Sequence, residues 1–246
     1  MWVVLISAVF IPGGPALVPE VSGPRASELD AVRAAVAVAA TELGALTQSW
    51  WALGGDDPTA TDSPAESTGA GTFGGFGVDR AIALRPDAVG APPSPLPTSM
   101  LMAGWVRELA GSPSPTLTPI VVAPDDHETR CHEVGTELAE RIAAASGDTA
   151  LLVVGDGAVY LDARAPGGGF EPDAAALQTE IDAALASGDP AVLRALDWER
   201  CARWGAAGRS VWEVVAACAP GPATATVSYT GAPLGVGYTV ATWRFG

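Results

Sequence analysis

The sequence predicts a single α/β domain in which a mostly parallel central sheet is flanked by helices. Continuous apolar, β-branched segments at residues 2–11 and 149–154 are typical of strands that are buried on both faces. Segments with apolar residues at helical spacing alternate with such strands through most of the chain. With 246 residues and 48% hydrophobic content, the chain can bury one large core. We therefore expect residues 1–246 to form one domain.

The N-terminal half is expected to alternate between strands and helices. After the strand at 2–11, the first helix is predicted to have Ser27 as its N-cap and to end near Leu46. Residues 54–71 are small, polar and acidic and include two prolines, which predicts a flexible surface loop. The further elements expected in this half are strands at 50–53, 81–84, 118–123 and 149–154, and helices at 99–110 and from Asp125 to about Ala145.

The C-terminal half is expected to be helical up to a final pair of strands. Asp189 precedes a proline, and an acidic N-cap followed by proline is a typical helix start. Asp197 is expected to cap the next helix in the same way. The remaining elements expected are helices at 172–186, 190–196 and 208–219, and strands at 225–229 and 236–245 around a turn at 230–234.

The charge and cysteine content exclude several classes of function. The formal net charge is −15, and all 13 basic residues are arginine. Such acidity opposes binding to nucleic acid or to an anionic membrane surface, so neither partner is expected. The three cysteines are odd in number and widely spaced, which argues against a disulfide framework and favours a cytoplasmic protein. The apolar N-terminus lacks a cationic segment, so we interpret it as a buried strand rather than a signal peptide.

Gly155-Asp156-Gly157 follows a buried strand, at the edge where open α/β sheets usually bind ligands. A dinucleotide fingerprint is rejected, because its third glycine would stand where the sequence has Tyr160. The alternative is structural: the glycines allow a tight turn and Asp156 caps it. His127, Cys131 and His132 are close together, but at most two of them share a helix face, so no metal site is expected.

Four stretches together resemble the LigB-like superfamily, which comprises the catalytic subunits of class III extradiol ring-cleavage dioxygenases, and in particular a group of actinobacterial proteins placed in it. They are IPGGPALVPE at 11–20, LLVVGDGAVY at 151–160, AAGRSVWEVVAAC at 206–218 and YTGAPLGVGYTVATW at 229–243. The likeness extends over nearly the whole chain. It implies the fold of that catalytic subunit and, in active members, Fe(II) held by two His and one Glu with a further His as acid/base.

The positions that match those functional residues carry different side chains here. The resemblance places Gly13 at the first His ligand, residues 71–76 at the second, Arg209 near the Glu and Tyr160 near the acid/base His. An arginine has no lone pair to give to a metal. We therefore expect no Fe(II), no metal ligands and no other cofactor in this chain.

Without the iron site, the sequence supports a ligand-binding or regulatory relative that takes a small anionic or aromatic molecule. The residues expected to bind it are Gly13, Gly14, Asp156, Gly157, Tyr160 and Arg209. A metal-free enzyme is a second hypothesis, with Asp156 and Tyr160 as candidate catalytic groups beside Arg209. The sequence also leaves open a structural or partner-binding module, and an active dioxygenase with a non-standard metal site. A homo-oligomer is expected by analogy with the superfamily.

Overall fold

Strands and helices alternate along the part of the chain that the computed structural model describes, which is residues 5–55, 68–123 and 127–246. The strands are β1 (Leu5–Ile11), β2 (Ser49–Gly55), β3 (Ala70–Thr72), β4 (Ala81–Ala83), β5 (Thr116–Val122), β6 (Thr149–Val154), β7 (Thr224–Gly231) and β8 (Tyr238–Arg244). The α-helices are α1 (Pro19–Ser22), α2 (Asp30–Leu46), α3 (Thr98–Leu109), α4 (Glu128–Ala144), α5 (Pro172–Ser187), α6 (Pro190–Arg194), α7 (Trp198–Arg203) and α8 (Arg209–Cys218).

The central sheet has six strands in the order β5-β2-β6-β1-β8-β7. β5, β2, β6 and β1 pair in parallel, whereas β8 pairs antiparallel with both β1 and β7. β3 and β4 form a separate antiparallel pair. This arrangement confirms the expected mostly parallel sheet and brings the start of β8 to the edge at which β1 and β6 end.

Helices cover both faces of the sheet, because the strands carry apolar side chains on both sides. In β1, Val9 and Ile11 belong to a core that includes residues of α2 and α3. Ala8 and Phe10 belong to a second core that includes residues of α4, α5 and α8. The molecule is therefore a three-layered single domain, as the continuous apolar strands predict.

Most predicted elements are confirmed to within a few residues, but residues 2–4 of the first predicted strand and the predicted helix start at Asp125 lie outside the described part of the chain. Of the caps predicted at Ser27, Asp189 and Asp197, two are correct. Asp189 and Asp197 accept hydrogen bonds at 2.8 Å from the backbone N–H groups of Ala191 and Arg200, respectively. The prediction for Ser27 is wrong, because this residue begins a short 3-10 turn and α2 starts at Asp30 without a side-chain cap.

The predicted loop at 54–71 is correct only in part. Gly54 and Gly55 are the last residues of β2, and Ala70 and Gly71 belong to β3. Residues 56–67, which make up most of the predicted loop, lie outside the described part of the chain.

The helices and cysteines of the described ranges bear on the predictions about membrane spans and disulfides. None of the helices in the described ranges has the length and apolar character needed to span a lipid bilayer. Cys131, Cys201 and Cys218 are buried and are not joined by disulfides.

Candidate functional site

Three strands place Gly13, Asp156 and Tyr238 side by side at one edge of the sheet. In the parallel pair, Ile11 of β1 lies opposite Val154 of β6, and both segments continue in step for two more residues. The N–H of Gly155 donates to the carbonyl of Ile11 at 3.0 Å, which extends this alignment beyond the strands. In the antiparallel pair, Phe10 lies opposite Ala241, so the same register leads to Tyr238 beside Gly13.

The contacts confirm this alignment. The backbone N–H of Gly13 donates to Oδ1 of Asp156 at 2.7 Å. A Cβ atom placed on Gly13 would lie 3.7 Å from Oδ2 of Asp156, and one placed on Gly14 would overlap the hydroxyl of Tyr238. The carboxyl and the hydroxyl thus lie against two successive glycines, and Gly14 must lack a side chain because the Tyr238 hydroxyl fills that space.

Burial changes the acid strength of Asp156. Although part of the residue reaches the surface, enclosure of its carboxyl group raises the pKa to about 6. Hydrogen bonds from the backbone N–H groups of Gly13 and Gly14 favour the charged form and oppose this shift. Asp156 is therefore a carboxyl group that changes its charge close to neutral pH, as general bases and acids often do.

The environment of Tyr238 keeps its hydroxyl protonated. This residue is 3% exposed, and burial, together with the nearby charge of Asp156, raises the pKa of its hydroxyl well above the ordinary value. Tyr238 therefore stays neutral when Asp156 is ionised. The site combines an acceptor carboxylate with a neutral hydroxyl donor at pH 7.

Gly157 supports the site through its backbone. Its N–H donates to the carbonyl of Gly237 at 2.8 Å, and the N–H of Gly237 donates to the carbonyl of Ala158 at 2.8 Å. Because Gly157 follows Asp156 and Gly237 precedes Tyr238, these bonds connect Asp156 and Tyr238 through a short backbone path. The sequence-based assignment of Gly157 as a ligand-binding residue stays a prediction.

The side chain of Arg209 is buried in an ion pair with Glu213, which corrects its assignment as a ligand-binding residue, although the N–H of the preceding Gly208 donates to the carbonyl of Asp156 at 2.8 Å. The Arg209 side chain and that of Glu213 are 3% and 1% exposed and form an ion pair at 3.1 Å. The remaining hydrogen bonds of Arg209 go to the carbonyls of Leu196 and Arg194 at 3.0 and 2.9 Å. Its guanidinium also stacks 4.3 Å from the ring centroid of Trp198. With its donors occupied inside the protein, Arg209 does not offer a charge to an anionic ligand.

Tyr160 also packs away from the carboxyl of Asp156, which removes the basis for pairing the two as catalytic groups. Its ring contacts Trp204 edge-on, with centroids 6.3 Å apart, and packs against the core on the α8 side of the sheet. A Cβ placed on Gly167 would lie 3.3 Å from the Tyr160 hydroxyl. Tyr238 belongs to the opposite core. Tyr160 has a φ of +65°, which is strained for a non-glycine residue and fixes this turn after β6.

The donor set does not fit the Fe(II) site that the resemblance suggests for active relatives. Such a site needs three ligating side chains that converge on one point. Within the described ranges, no three His, Cys, Asp or Glu side chains lie close enough together to hold a metal ion. Glu213, four residues after Arg209, is already paired with that arginine. Asp156 and Tyr238 supply two side chains, which is short of the facial set.

Residues 71–76, expected to match the second ligand position, form part of β3 and a 3-10 turn at Phe73–Phe76. Beside this turn is an open cavity of about 580 Å³ whose lining side chains are uncharged. It is lined by Thr72, Gly75, Phe76, Pro93, Ser94, Pro95, Leu96, Thr98 and Leu101. This cavity is distinct from the Asp156–Tyr238 pair, whose residues do not line it.

Comparison with known proteins supports the fold and goes no further. No protein-family model matches the sequence, and no curated protein matches it. Seventeen chains of solved structures match. One is the crystal structure of JW3007, an uncharacterized protein from Escherichia coli K12, with a TM-score of 0.50 and 13% identity. The match covers 98% of this chain and 100% of that protein's chain.

Tyr238 is a site residue that the sequence alone did not single out, although it stands in one of the four stretches that carry the resemblance. The available signal is a tyrosine at the start of a strand directly after Gly235-Val236-Gly237. Glycines spaced in this way beside a strand indicate close backbone approach. What the sequence does not supply is the pairing of β8 with β1, which decides that Tyr238 lies beside Gly14.

Proposed function

We propose that the edge of the sheet at Gly13, Asp156 and Tyr238 binds a small neutral molecule that carries hydroxyl groups. The observation that supports this most strongly is that a carboxyl acceptor, Asp156, and a hydroxyl donor, Tyr238, of different acid strength lie against the backbone of two successive glycines. Above pH 6, the Asp156 carboxylate would accept a hydrogen bond from the ligand, and the Tyr238 hydroxyl would donate one.

The charge of the site argues against an anionic ligand. Arg209, the residue that the sequence suggests as an anion holder, is enclosed in its ion pair with Glu213. Asp156 adds a negative charge near neutral pH, and the chain as a whole carries −15. An anionic ligand would meet repulsion rather than attraction, whereas a neutral phenol or catechol would not.

Catechol is the appropriate probe, because aromatic ligands are the class that the family resemblance suggests. The dissociation constant for catechol is measured at pH 7 by calorimetry or NMR titration, with benzoate as the anionic comparison. Asp156→Asn and Tyr238→Phe should each weaken catechol binding by about 10-fold, because each removes one hydrogen bond to the ligand. Exposed Asp148→Asn and half-buried Tyr160→Phe are the matched controls. Unchanged affinity in both site variants would reject the assignment.

A metal-free acid/base enzyme is the second candidate, and the pKa of about 6 at Asp156 favours it. In this form of the proposal Asp156 takes a proton from a substrate hydroxyl and Tyr238 stabilises the developing oxyanion. Turnover that persists in EDTA, disappears in Asp156→Asn and survives Tyr160→Phe would support it. Loss in Tyr160→Phe with retention in Asp156→Asn would contradict it.

We also propose that the protein is a cytoplasmic homo-oligomer that does not bind nucleic acid. Support for self-association comes from β7, an edge strand of the central sheet without charged residues or proline. At the opposite edge, β5 contains Pro119 and its Leu117 donates to Leu84, which limits pairing there. Val38 of α2, which is 55% exposed, lies in a groove with Thr226 of β7. A second copy pairing along β7 would cover this apolar side chain.

A further inference from the structure

Gln178 of α5 reaches from the helical layer to the two backbone segments that carry the candidate site. It is 8% exposed. Its Oε1 accepts a hydrogen bond from the backbone N–H of Ala158 at 2.8 Å, and its Nε2 donates to Oδ1 of Asp182 at 2.8 Å. The same Oδ1 accepts a hydrogen bond from the hydroxyl of Thr239 at 2.5 Å.

The amide of Gln178 occupies the space in front of two glycines. A Cβ atom placed on either Gly157 or Gly237 would overlap Oε1 of Gln178. Gly157 follows Asp156, Gly237 precedes Tyr238, and the two glycines are joined by a backbone hydrogen bond. The glycines therefore serve two purposes, since they allow the close backbone pairing and they admit the glutamine.

The orientation of this amide is determined by its partners. The backbone N–H of Ala158 can only donate, so Oε1 must face it, and Nε2 then faces Asp182. Burial raises the pKa of Asp182, while the hydrogen bonds from Thr239 and Gln178 favour its charged form. Gln178, Asp182 and Thr239 thus form a connected set that links α5 to the loop after β6 and to the start of β8.

We propose that Gln178 is a positioning residue for the binding site, and that Asp182 and Thr239 hold its amide in the orientation that this role requires. The ligand-binding part of this inference rests on the proposed function. By filling the space in front of Gly157 and Gly237, Gln178 sets the separation of the Asp156 carboxyl from the Tyr238 hydroxyl. Its hydrogen bonds go to neither of these two groups, so its effect is exerted through the backbone.

The test uses the nearly isosteric substitution Gln178→Met, which keeps the volume but leaves the N–H of Ala158 without its acceptor. Two quantities are measured on the full chain: the pKa of Asp156 by NMR of its carboxyl carbon, and the dissociation constant for catechol. We expect a displaced Asp156 pKa and about 10-fold weaker catechol binding. Thr179→Val, on the exposed side of the same helix, should change neither.

The two measurements separate this inference from the proposed function. If wild-type protein does not bind catechol, the proposed function fails, while the Asp156 pKa in Gln178→Met still tests the positioning role. A folded Gln178→Met variant with the wild-type Asp156 pKa overturns the inference. If Gln178→Met does not fold, the Asp156 pKa is measured in Thr239→Val instead. This variant removes one hydrogen bond to Asp182 and leaves Gln178 in place. An unchanged Asp156 pKa in folded Thr239→Val overturns the orienting role of the set.

Discussion

Gly13 donates its backbone N–H to Oδ1 of Asp156 across 2.7 Å, although the two residues are 143 positions apart in the chain. This bond lies where β1 and β6 end, and it holds a carboxyl group whose pKa is raised to about 6. A main-chain donor thus partly stabilises a charge that burial disfavours. The balance between these two effects determines how Asp156 contributes to stability and to ligand binding.

Asp156→Asn should stabilise the protein at pH 8 and have less effect at pH 5. Because the folded pKa lies above the unfolded value of 3.8, folded Asp156 holds its proton more tightly, and stability falls as pH rises from about 4 to 6. The asparagine keeps the acceptor for Gly13 without the charge. We expect a gain of about 1–3 kcal/mol in the free energy of unfolding at pH 8, measured by urea denaturation.

The control for that experiment is Asp148→Asn, which changes an exposed aspartate after α4. It should leave the pH dependence of unfolding unaltered. If the change in the free energy of unfolding caused by Asp156→Asn is less favourable at pH 8 than at pH 5, the carboxylate is stabilising. That result would contradict the raised pKa.

Catechol affinity should increase with pH. The ligand hydroxyl would donate to ionised Asp156, and the ionised fraction grows as pH rises through about 6. Between pH 5 and 7 the affinity should therefore rise about 10-fold, as measured by calorimetry below the pKa of catechol. Asp156→Asn should abolish this dependence, whereas a wild-type affinity that is flat or falls over the same range would show that the ligand does not use the carboxylate.

Gly14→Ala should destabilise the protein through Tyr238. The added Cβ would overlap the tyrosine hydroxyl, so either the ring or the loop after β1 must move. A loss of about 1–3 kcal/mol in the free energy of unfolding is expected. In the double variant with Tyr238→Phe, the nearest atom would be the ring carbon at 3.0 Å, and most of the loss should be recovered. If the stability losses of the two single variants simply add in the double variant, the side chains at positions 14 and 238 are not in contact.

Arg209→Met should lower stability without removing catechol binding. It removes one partner of the Glu213 carboxylate, which is 1% exposed but keeps its ion pair with Arg194 at 3.3 Å, so we expect a loss of about 1–3 kcal/mol in the free energy of unfolding. Arg130→Met removes exposed, solvent-screened ion pairs on α4 and should have little effect on stability. Thermal and urea denaturation measure both. If a folded Arg209→Met protein loses catechol binding, Arg209 is a ligand-binding residue after all.

Thr226→Lys should prevent self-association if β7 is the interface. A lysine on this uncharged edge strand would put a charge on both copies of a symmetric interface, and charged side chains on an edge strand oppose pairing. Thr116→Lys, at an exposed position on the opposite edge strand β5, is the matched control. Light scattering after size exclusion should give a dimer for wild type and the control and a monomer for Thr226→Lys. A Thr226→Lys dimer would place the interface elsewhere.

The fold could be predicted because its signals are local. Apolar runs such as TALLVV and the helix starts at Asp189 and Asp197 depend on residues within a few positions of each other. Gly13 and Asp156 could be assigned to one edge because parallel strands end together. The prediction for Ser27 fails because a 3-10 turn intervenes before the helix, which the capping pattern does not reveal.

The rest of the site depends on strand pairing and helix packing that the sequence alone does not reveal. The antiparallel register of β8 brings Tyr238 to Gly14, and the packing of α5 brings Gln178 to Gly157. The family resemblance places Arg209 near the site, but its side chain turns towards Glu213, four residues along the same helix. The direction of a helical side chain, rather than the place of its backbone, decides that outcome.

Joint binding of a neutral hydroxylated ligand by Asp156 and Tyr238 is tested most directly by an NMR titration of the Asp156 carboxyl carbon with and without catechol. We expect a pKa of about 6 in the free protein and a lower pKa with catechol bound, because the ligand hydroxyl stabilises the carboxylate. This decrease should be reduced in Tyr238→Phe and preserved in Tyr160→Phe. An ordinary aspartate pKa that saturating catechol does not change would show that Asp156 and Tyr238 do not form a ligand site.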